Sequence, residues 1–258
     1  MEKINKFYAK HPLVLPDGFH CPSVMRVFSD SKLSAGGRLY GAYSNHEQAD
    51  RVSSTIDGLP VCEIDIRASQ PTLLSSLLAF KIGDTWDDLY GSFPSVKGIS
   101  DPIEKKKARD QVKAVVAELI GVGNADKTNP SKDLLREGVD EFRFMEIRKE
   151  ATSAIPALAE MKKRRITSNS YLTFHESEII LGTIEELMNL NIPAFSVHDS
   201  IIVKQDDEST ATEALRRIWS SYSIQEGDHG AKGVSQIYPS LSITYPDMSE
   251  KDVQGIWK

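Results

Sequence analysis

The sequence has few cysteines and no long apolar run. Its only cysteines, Cys21 and Cys62, have no CxxC spacing, so they indicate neither a disulfide framework nor a zinc site. No apolar stretch approaches the length of a membrane span, and the N-terminus has no signal-peptide pattern. We therefore expect no membrane partner and a cytoplasmic location.

The chain also lacks an excess of positive charge. Its formal net charge is -6, whereas proteins that bind nucleic acids are usually basic. The basic residues are unevenly distributed, however, and a block of them lies between Lys105 and Lys113. Such a block is most often a solvated face, and the alternative is a surface that binds polyanions weakly and in a salt-sensitive way.

One short segment combines strand-like flanks with a polar turn. An apolar run from Ile192 to Val197 enters His198-Asp199-Ser200 and leaves through residues 201–203, which predicts a β-hairpin. Its turn presents the carboxylate of Asp199. A second predicted strand, residues 61–66, ends near Asp65. Two aspartates on separate strands are the minimum that two-metal phosphoryl transfer requires.

The remaining pattern predicts strands followed by helices. Residues 37–66 suggest two or three strands with a turn at Asp57-Gly58, and residues 69–81 suggest a buried helix. A further helix is predicted from Pro102, capped by Asp101, to about Gly121. A long amphipathic helix, about 175–190, precedes the hairpin, and another helix, about 208–222, follows it. The order predicts an α+β fold, an antiparallel sheet backed by helices.

The polar motifs occur in an order that resembles a known family. Residues 65–74 read Asp-Ile-Arg-Ala-Ser-Gln-Pro-Thr-Leu-Leu, residues 109–113 read Arg-Asp-Gln-Val-Lys, and His198-Asp199 follows. This succession resembles motifs A, B and C of the family A DNA polymerases, the DNA polymerase I type, and of the related single-subunit phage-type RNA polymerases. Residues 36–41, Gly-Gly-Arg-Leu-Tyr-Gly, resemble the segment of those enzymes that contacts the nucleic-acid duplex.

The resemblance implies a compact polymerase palm with a reduced, fingers-like insertion. On this interpretation residues 36–101 and 165–258 form the palm-like catalytic domain, and residues 102–164 form the helical fingers-like insertion. Residues 1–35 form an N-terminal segment without an assigned role. The implied activity is that of a nucleotidyltransferase, a template-directed DNA or RNA polymerase of minimal family A type.

The resemblance also implies a metal site and a nucleotide site. Asp65 and Asp199, with the backbone carbonyl of Ile66 as a further ligand, would hold two Mg²⁺ ions, for which Mn²⁺ could substitute. Arg109 and Lys113 would bind the β and γ phosphates of the incoming nucleotide. Without the resemblance, their spacing of four residues indicates only a shared helical face.

Other positions are expected near the sugar or the nucleic acid. Gln70 stands at the sugar position of motif A, and Arg38, His198 and Glu176 are expected to contact nucleic acid. For His198 the alternative is a packed strand-end histidine, and for Glu176 it is a capping or solvated role at the start of the long helix. Glu63 points to the same strand face as Asp65, and we interpret it as a surface residue rather than an outer metal ligand.

The chain departs from the family pattern in three places. Where motif B has an aromatic residue and then Tyr-Gly, this sequence has Ala117, Gly121 and Val122. Motif A has Gln70 where the DNA polymerases have Glu. Motif C reads His-Asp-Ser, as in the phage-type RNA polymerases, rather than His-Asp-Glu. Sugar choice and the stacking surface for the nascent base pair are therefore open.

Three functional hypotheses remain from the sequence. The first is the polymerase, with primer-template and nucleoside triphosphates as partners, an additional replication subunit as its clamp, and a prokaryotic, phage or mobile-element setting by analogy. The second is a catalytically degenerate nucleic-acid-binding accessory subunit, favoured by the missing motif B aromatics. The third is a metal-dependent phosphodiesterase, which would use the same carboxylates without needing Arg109 and Lys113.

Overall fold

The structure, a computed structural model, describes residues 1–80, 88–164, 166, 168–227 and 237–258. The chain divides into two compact units. The first comprises Met1–Arg67, Thr173–Tyr222 and Ser235–Lys258, and the second comprises Ala68–Leu172 and Ser223–Val234. In the described residues no helix is both long enough and apolar enough to cross a bilayer.

Strands and helices occur largely in separate blocks along the chain, with α3 to α9 in succession. The helices are α1 (Glu2–Tyr8), α2 (Gln48–Val52), α3 (Ser69–Leu77), α4 (Pro94–Lys97), α5 (Pro102–Gly121), α6 (Lys132–Arg136), α7 (Glu141–Ala154), α8 (Ala157–Glu160), α9 (Asn169–Asn189) and α10 (Glu208–Glu226). The strands are β1 (Leu13–Val14), β2 (His20–Cys21), β3 (Val24–Phe28), β4 (Gly36–Gly41), β5 (Thr55–Ile56), β6 (Leu59–Ile66), β7 (Phe195–Val197), β8 (Ser200–Lys204), β9 (Ile237–Tyr238), β10 (Leu241–Thr244), β11 (Glu250–Val253) and β12 (Ile256–Trp257).

The first unit is built on an antiparallel sheet with β6 at its centre. Strand β6 pairs with β5, β8 and β10, and β10 continues to β11 at one edge. The turn between β5 and β6 is Asp57-Gly58, where both residues have positive φ, as a two-residue hairpin of this twist requires. The apolar side chains of β6, Val61, Ile64 and Ile66, are buried. They anchor the strand that carries Asp65.

Helices accompany the sheet in the first unit, and the predicted α+β class is confirmed. Helix α10 buries Leu215 and Trp219, and α9 buries the predicted apolar face that includes Ile180 and Ile184. Helix α9 begins at Asn169, earlier than the predicted start near residue 175. The sequence pattern missed its first turns because only Leu172 is buried among residues 169–174, which gives no apolar periodicity there.

The second unit is helical in the residues described. Its helix α5 has the predicted bounds, and the Asp101 carboxylate caps it by accepting hydrogen bonds from the backbone N–H of Ile103 and Glu104 at 3.0 and 2.9 Å. The unit begins at Ala68, whereas we predicted an insertion over residues 102–164. Helix α3 accounts for the difference, because its almost wholly buried residues contact α5 and α8.

Candidate active site

The two motif aspartates lie at the same end of neighbouring strands. Val197 pairs with Ser200, so His198 and Asp199 form the two-residue turn between β7 and β8. Ser200 in turn pairs directly with Asp65 on β6. The Cα atoms of directly paired residues lie about 4.5–5.5 Å apart. Ser200 is therefore beside Asp65, and Asp199 is the residue just before Ser200. Both aspartates are half-buried.

This pair of carboxylates suits a hard divalent cation. Among the described residues no group of three His, Cys, Asp or Glu side chains is arranged to hold a metal ion. Mg²⁺ does not require such a cage, because it commonly binds one or two carboxylates and completes its octahedron with water and substrate phosphate. Asp65 and Asp199, with the Ile66 carbonyl, therefore fit the chemistry of Mg²⁺ better than that of zinc.

Glu63, two residues before Asp65, is not the surface residue that we expected. It is 3% exposed, and its carboxylate accepts two hydrogen bonds from Arg51 of α2, from Nε at 2.9 Å and from Nη2 at 2.8 Å. The hydroxyl of Ser200 lies 3.0 Å from Glu63 Oε1. The expectation failed because burial of this charge depends on Arg51, which lies on a different element and carries no local signal.

Glu176 is also buried, which corrects its predicted role. It is 0% exposed and lies inside α9 rather than at its start, so it neither caps the helix nor faces solvent. Its Oε1 accepts hydrogen bonds from Arg38 Nε at 2.8 Å and Nη2 at 2.5 Å. Glu176 is thus unavailable to contact nucleic acid directly, and it fixes the guanidinium of Arg38 on β4.

His198 occupies the turn next to Asp199 in a left-handed conformation, with φ 56°. The Tyr40 ring approaches it edge-on, with ring centroids 5.9 Å apart. Burial lowers the pKa of His198, the positive charge of Arg38 lowers it further, and the carboxylate of Asp199 opposes both. Its Nδ1 has no hydrogen-bond partner within the described part of the chain. These surroundings favour the neutral imidazole over the charged one.

The predicted nucleotide contacts belong to the second unit. Arg109 and Lys113 lie one turn apart on α5, and the Lys113 side chain is exposed. Arg109 Nε donates a hydrogen bond to Asp88 Oδ1 at 2.9 Å, in an ion pair that sequence reasoning did not foresee. Gln70 is half-buried in the first turn of α3. These side chains thus supply two cations on one helical face and one amide on another helix.

Of the comparisons with known proteins, the one with solved structures gives a match. No protein-family model matches the chain, and no curated protein matches it. Among solved structures, the chain is similar to the POL domain of Pol1 from M. smegmatis, in a complex with DNA primer-template and dNTP, with a TM-score of 0.47 and 10% sequence identity. The match covers 90% of this chain and 48% of that chain, so this chain spans about half the length of the matched one.

Proposed function

We propose that this chain is a metal-dependent nucleotidyltransferase, a template-directed DNA or RNA polymerase of minimal family A type. The observation that carries the proposal is the pairing of β6 with β8, which sets Asp65 directly opposite Ser200, the residue that follows Asp199. The motif order in the sequence supports it independently, since the Arg109-Lys113 spacing and the His198-Asp199 turn follow Asp65 in the family's order.

In this proposal each residue has a distinct task. Asp65 and Asp199 hold the divalent ions, which when bound lower the pKa of the primer 3′ hydroxyl and neutralise the departing pyrophosphate. Arg109 and Lys113 bind the nucleotide's β and γ phosphates through charge-assisted hydrogen bonds. His198, packed by Tyr40, lies next to Asp199, where the primer terminus would approach. Arg38, oriented by Glu176, contacts the duplex.

The direct test is extension of a labelled primer on a template, with ribo- or deoxyribonucleoside triphosphates, with and without Mg²⁺. The proposal expects Mg²⁺-dependent extension. A chain that binds the primer-template but extends nothing would favour the accessory-subunit alternative. A specific observation gives that alternative weight, because Ala117 and Val122 are exposed where motif B of the family has its aromatic platform. Shortening of the primer would instead indicate the phosphodiesterase.

We predict that Lys113→Ala weakens nucleotide use far more than nucleic-acid binding. A lost charge-assisted contact to phosphate should cost about 1.5–3 kcal/mol, roughly ten- to a hundredfold in kcat/KM. The measurement is steady-state incorporation beside equilibrium binding of the same primer-template. Lys107→Ala, which removes an exposed lysine from another face of α5, is the matched control. Unchanged nucleotide kinetics in Lys113→Ala would show that this face of α5 is only a solvated surface.

We further predict poor discrimination between ribose and deoxyribose. Gln70 replaces the family's Glu, and Gly121 replaces the Tyr that packs with it, so no identified pair builds a wall at the 2′ carbon. An open, hydrated pocket rejects an added hydroxyl weakly, so kcat/KM for matched nucleotides should differ by about a hundredfold or less, with a slight preference for deoxynucleotides. A preference on the order of several thousandfold would mean that another residue forms the gate.

A further inference from the structure

A buried ion pair lies close to the candidate metal site, because its glutamate is two residues before Asp65 on β6. The side chains of Arg51 and Glu63 are 11% and 4% exposed, and they form a two-pronged contact. Arg51 also donates a hydrogen bond from Nη1 to the His46 carbonyl at 2.5 Å, which fixes the guanidinium on its own segment. Burying two charges is costly, and an apolar pair of similar volume often serves stability as well or better. Stability alone therefore does not explain this pair.

Ser200 connects the ion pair to the turn that carries Asp199. Its Oγ lies 3.0 Å from Glu63 Oε1 and 3.0 Å from the Val197 carbonyl oxygen. A hydroxyl donates one proton, and the carboxylate is the stronger acceptor, because a charge-assisted hydrogen bond is shorter and stronger than a neutral one. Val197 and Ser200 are the residues on either side of the turn, so this hydroxyl joins the base of the turn to β6.

The strand register places this connection at the level of the two aspartates. Asp65 pairs with Ser200, and Glu63 pairs with Ile202, so the bond from Ser200 to Glu63 runs diagonally across one face of the β6–β8 pair. Side chains two residues apart on a strand share a face, so Glu63, Asp65 and Ser200 point to the same side of the sheet. A sliding or twisting motion of β8 against β6 would break this bond.

We propose that Glu63, held by Arg51, is a positioning residue that acts through Ser200 to hold the Asp199 turn beside Asp65. This inference rests on the proposed function, and two of its residues, Arg51 and Glu63, lie outside the motifs that suggested that function. In this arrangement Glu63 orients the turn that carries Asp199, whereas the two aspartates bind the metal. Groups that orient metal ligands commonly contribute ten- to a hundredfold to metal affinity or activity when removed.

The first test is Ser200→Ala, which removes the connecting hydroxyl and leaves the ion pair in place. We expect kcat for primer extension to fall about ten- to a hundredfold with unchanged nucleotide KM, and half-maximal activity to need more Mg²⁺. Ser200→Thr, which keeps the hydroxyl on a strand-favouring side chain, should restore both. Ser76→Ala removes a buried hydroxyl of α3 that donates a hydrogen bond to the Thr72 carbonyl, and it serves as the control. Parent kcat and Mg²⁺ dependence in Ser200→Ala would overturn the proposal.

The second test uses the double variant Arg51→Met with Glu63→Leu, which removes both buried charges together. Its kcat loss should equal that of Ser200→Ala, and adding Ser200→Ala to it should cause no further loss, because the three side chains act as one unit. Additive losses would overturn the proposal.

Direct Mn²⁺ binding, followed by electron paramagnetic resonance, separates this proposal from the proposed function. Ser200→Ala should bind Mn²⁺ about ten- to a hundredfold more weakly than the parent. If the parent binds Mn²⁺ with this difference but synthesises nothing, the polymerase function fails and the positioning role stands. If the parent synthesises normally and Ser200→Ala matches it in both assays, the positioning role fails alone. If the parent neither binds Mn²⁺ nor synthesises, both fail.

Discussion

Asp199→Ala is expected to abolish nucleotide incorporation while the fold remains intact. The variant removes one of the two carboxylates that we propose as metal ligands, and ions bound in this way would supply several kcal/mol of transition-state stabilisation. A loss of about 4 kcal/mol corresponds to roughly a thousandfold in rate, which places the variant near the background of a primer-extension assay. One carboxylate in a turn contributes little to folding, so the free energy of unfolding should change by about 1 kcal/mol or less.

Two further variants sharpen the Asp199 experiment. Asp199→Asn keeps the shape of the side chain and removes its charge, so it should be as inactive as Asp199→Ala. Asp206→Ala removes an exposed aspartate beyond the opposite end of β8, and it should retain the parent rate. Synthesis near the parent rate in Asp199→Ala would show that the metal site lies elsewhere.

Of the substitutions predicted for this chain, Glu63→Ala is expected to lower the free energy of unfolding the most. The substitution leaves the guanidinium of Arg51 buried without its carboxylate, and breaking a buried pair in this way typically costs about 3–5 kcal/mol. Urea unfolding followed by circular dichroism measures this free energy, provided that the transition is two-state.

The control for this loss is an exposed ion pair between a glutamate and a lysine. Glu2 bonds Lys6 with both side chains largely in solvent, and exposed pairs of this kind contribute little, so Glu2→Ala should unfold like the parent. The double variant Arg51→Met with Glu63→Leu should recover most of the stability that Glu63→Ala loses, because no charge is then left unpaired. If Glu63→Ala is as stable as the parent, the pair is solvated in solution.

Local patterns in the sequence were sufficient for the elements that carry the candidate site. The apolar runs around His198-Asp199 predicted the hairpin, and Asp101 before Pro102 predicted the start of α5. These features depend on residues a few positions apart, where backbone preferences and capping act.

The contacts that surround those elements could not be predicted in the same way. Glu63 was expected at the surface, and Glu176 was expected to contact nucleic acid or else to cap a helix or face solvent, since a lone carboxylate in a sequence is usually exposed. Each is buried because its carboxylate accepts hydrogen bonds from an arginine on another element. Arg38 and Glu176, for example, lie 138 positions apart in the sequence. The unit boundary at Ala68 likewise depends on where α3 packs, which its sequence does not specify.

The central position of β6 has a consequence for how the chain folds. Glu63 and Ser200 are 137 positions apart, and β10 lies further still along the chain. During synthesis β6 therefore emerges long before β8 and β10, two of the strands that pair with it, and contacts of such sequence separation form slowly. Most of the second unit is meanwhile one continuous stretch of chain, Ala68–Leu172, whose described part is helical. We expect this unit to fold first, with β6 a hydrophobic strand exposed to aggregation until β8 and β10 arrive.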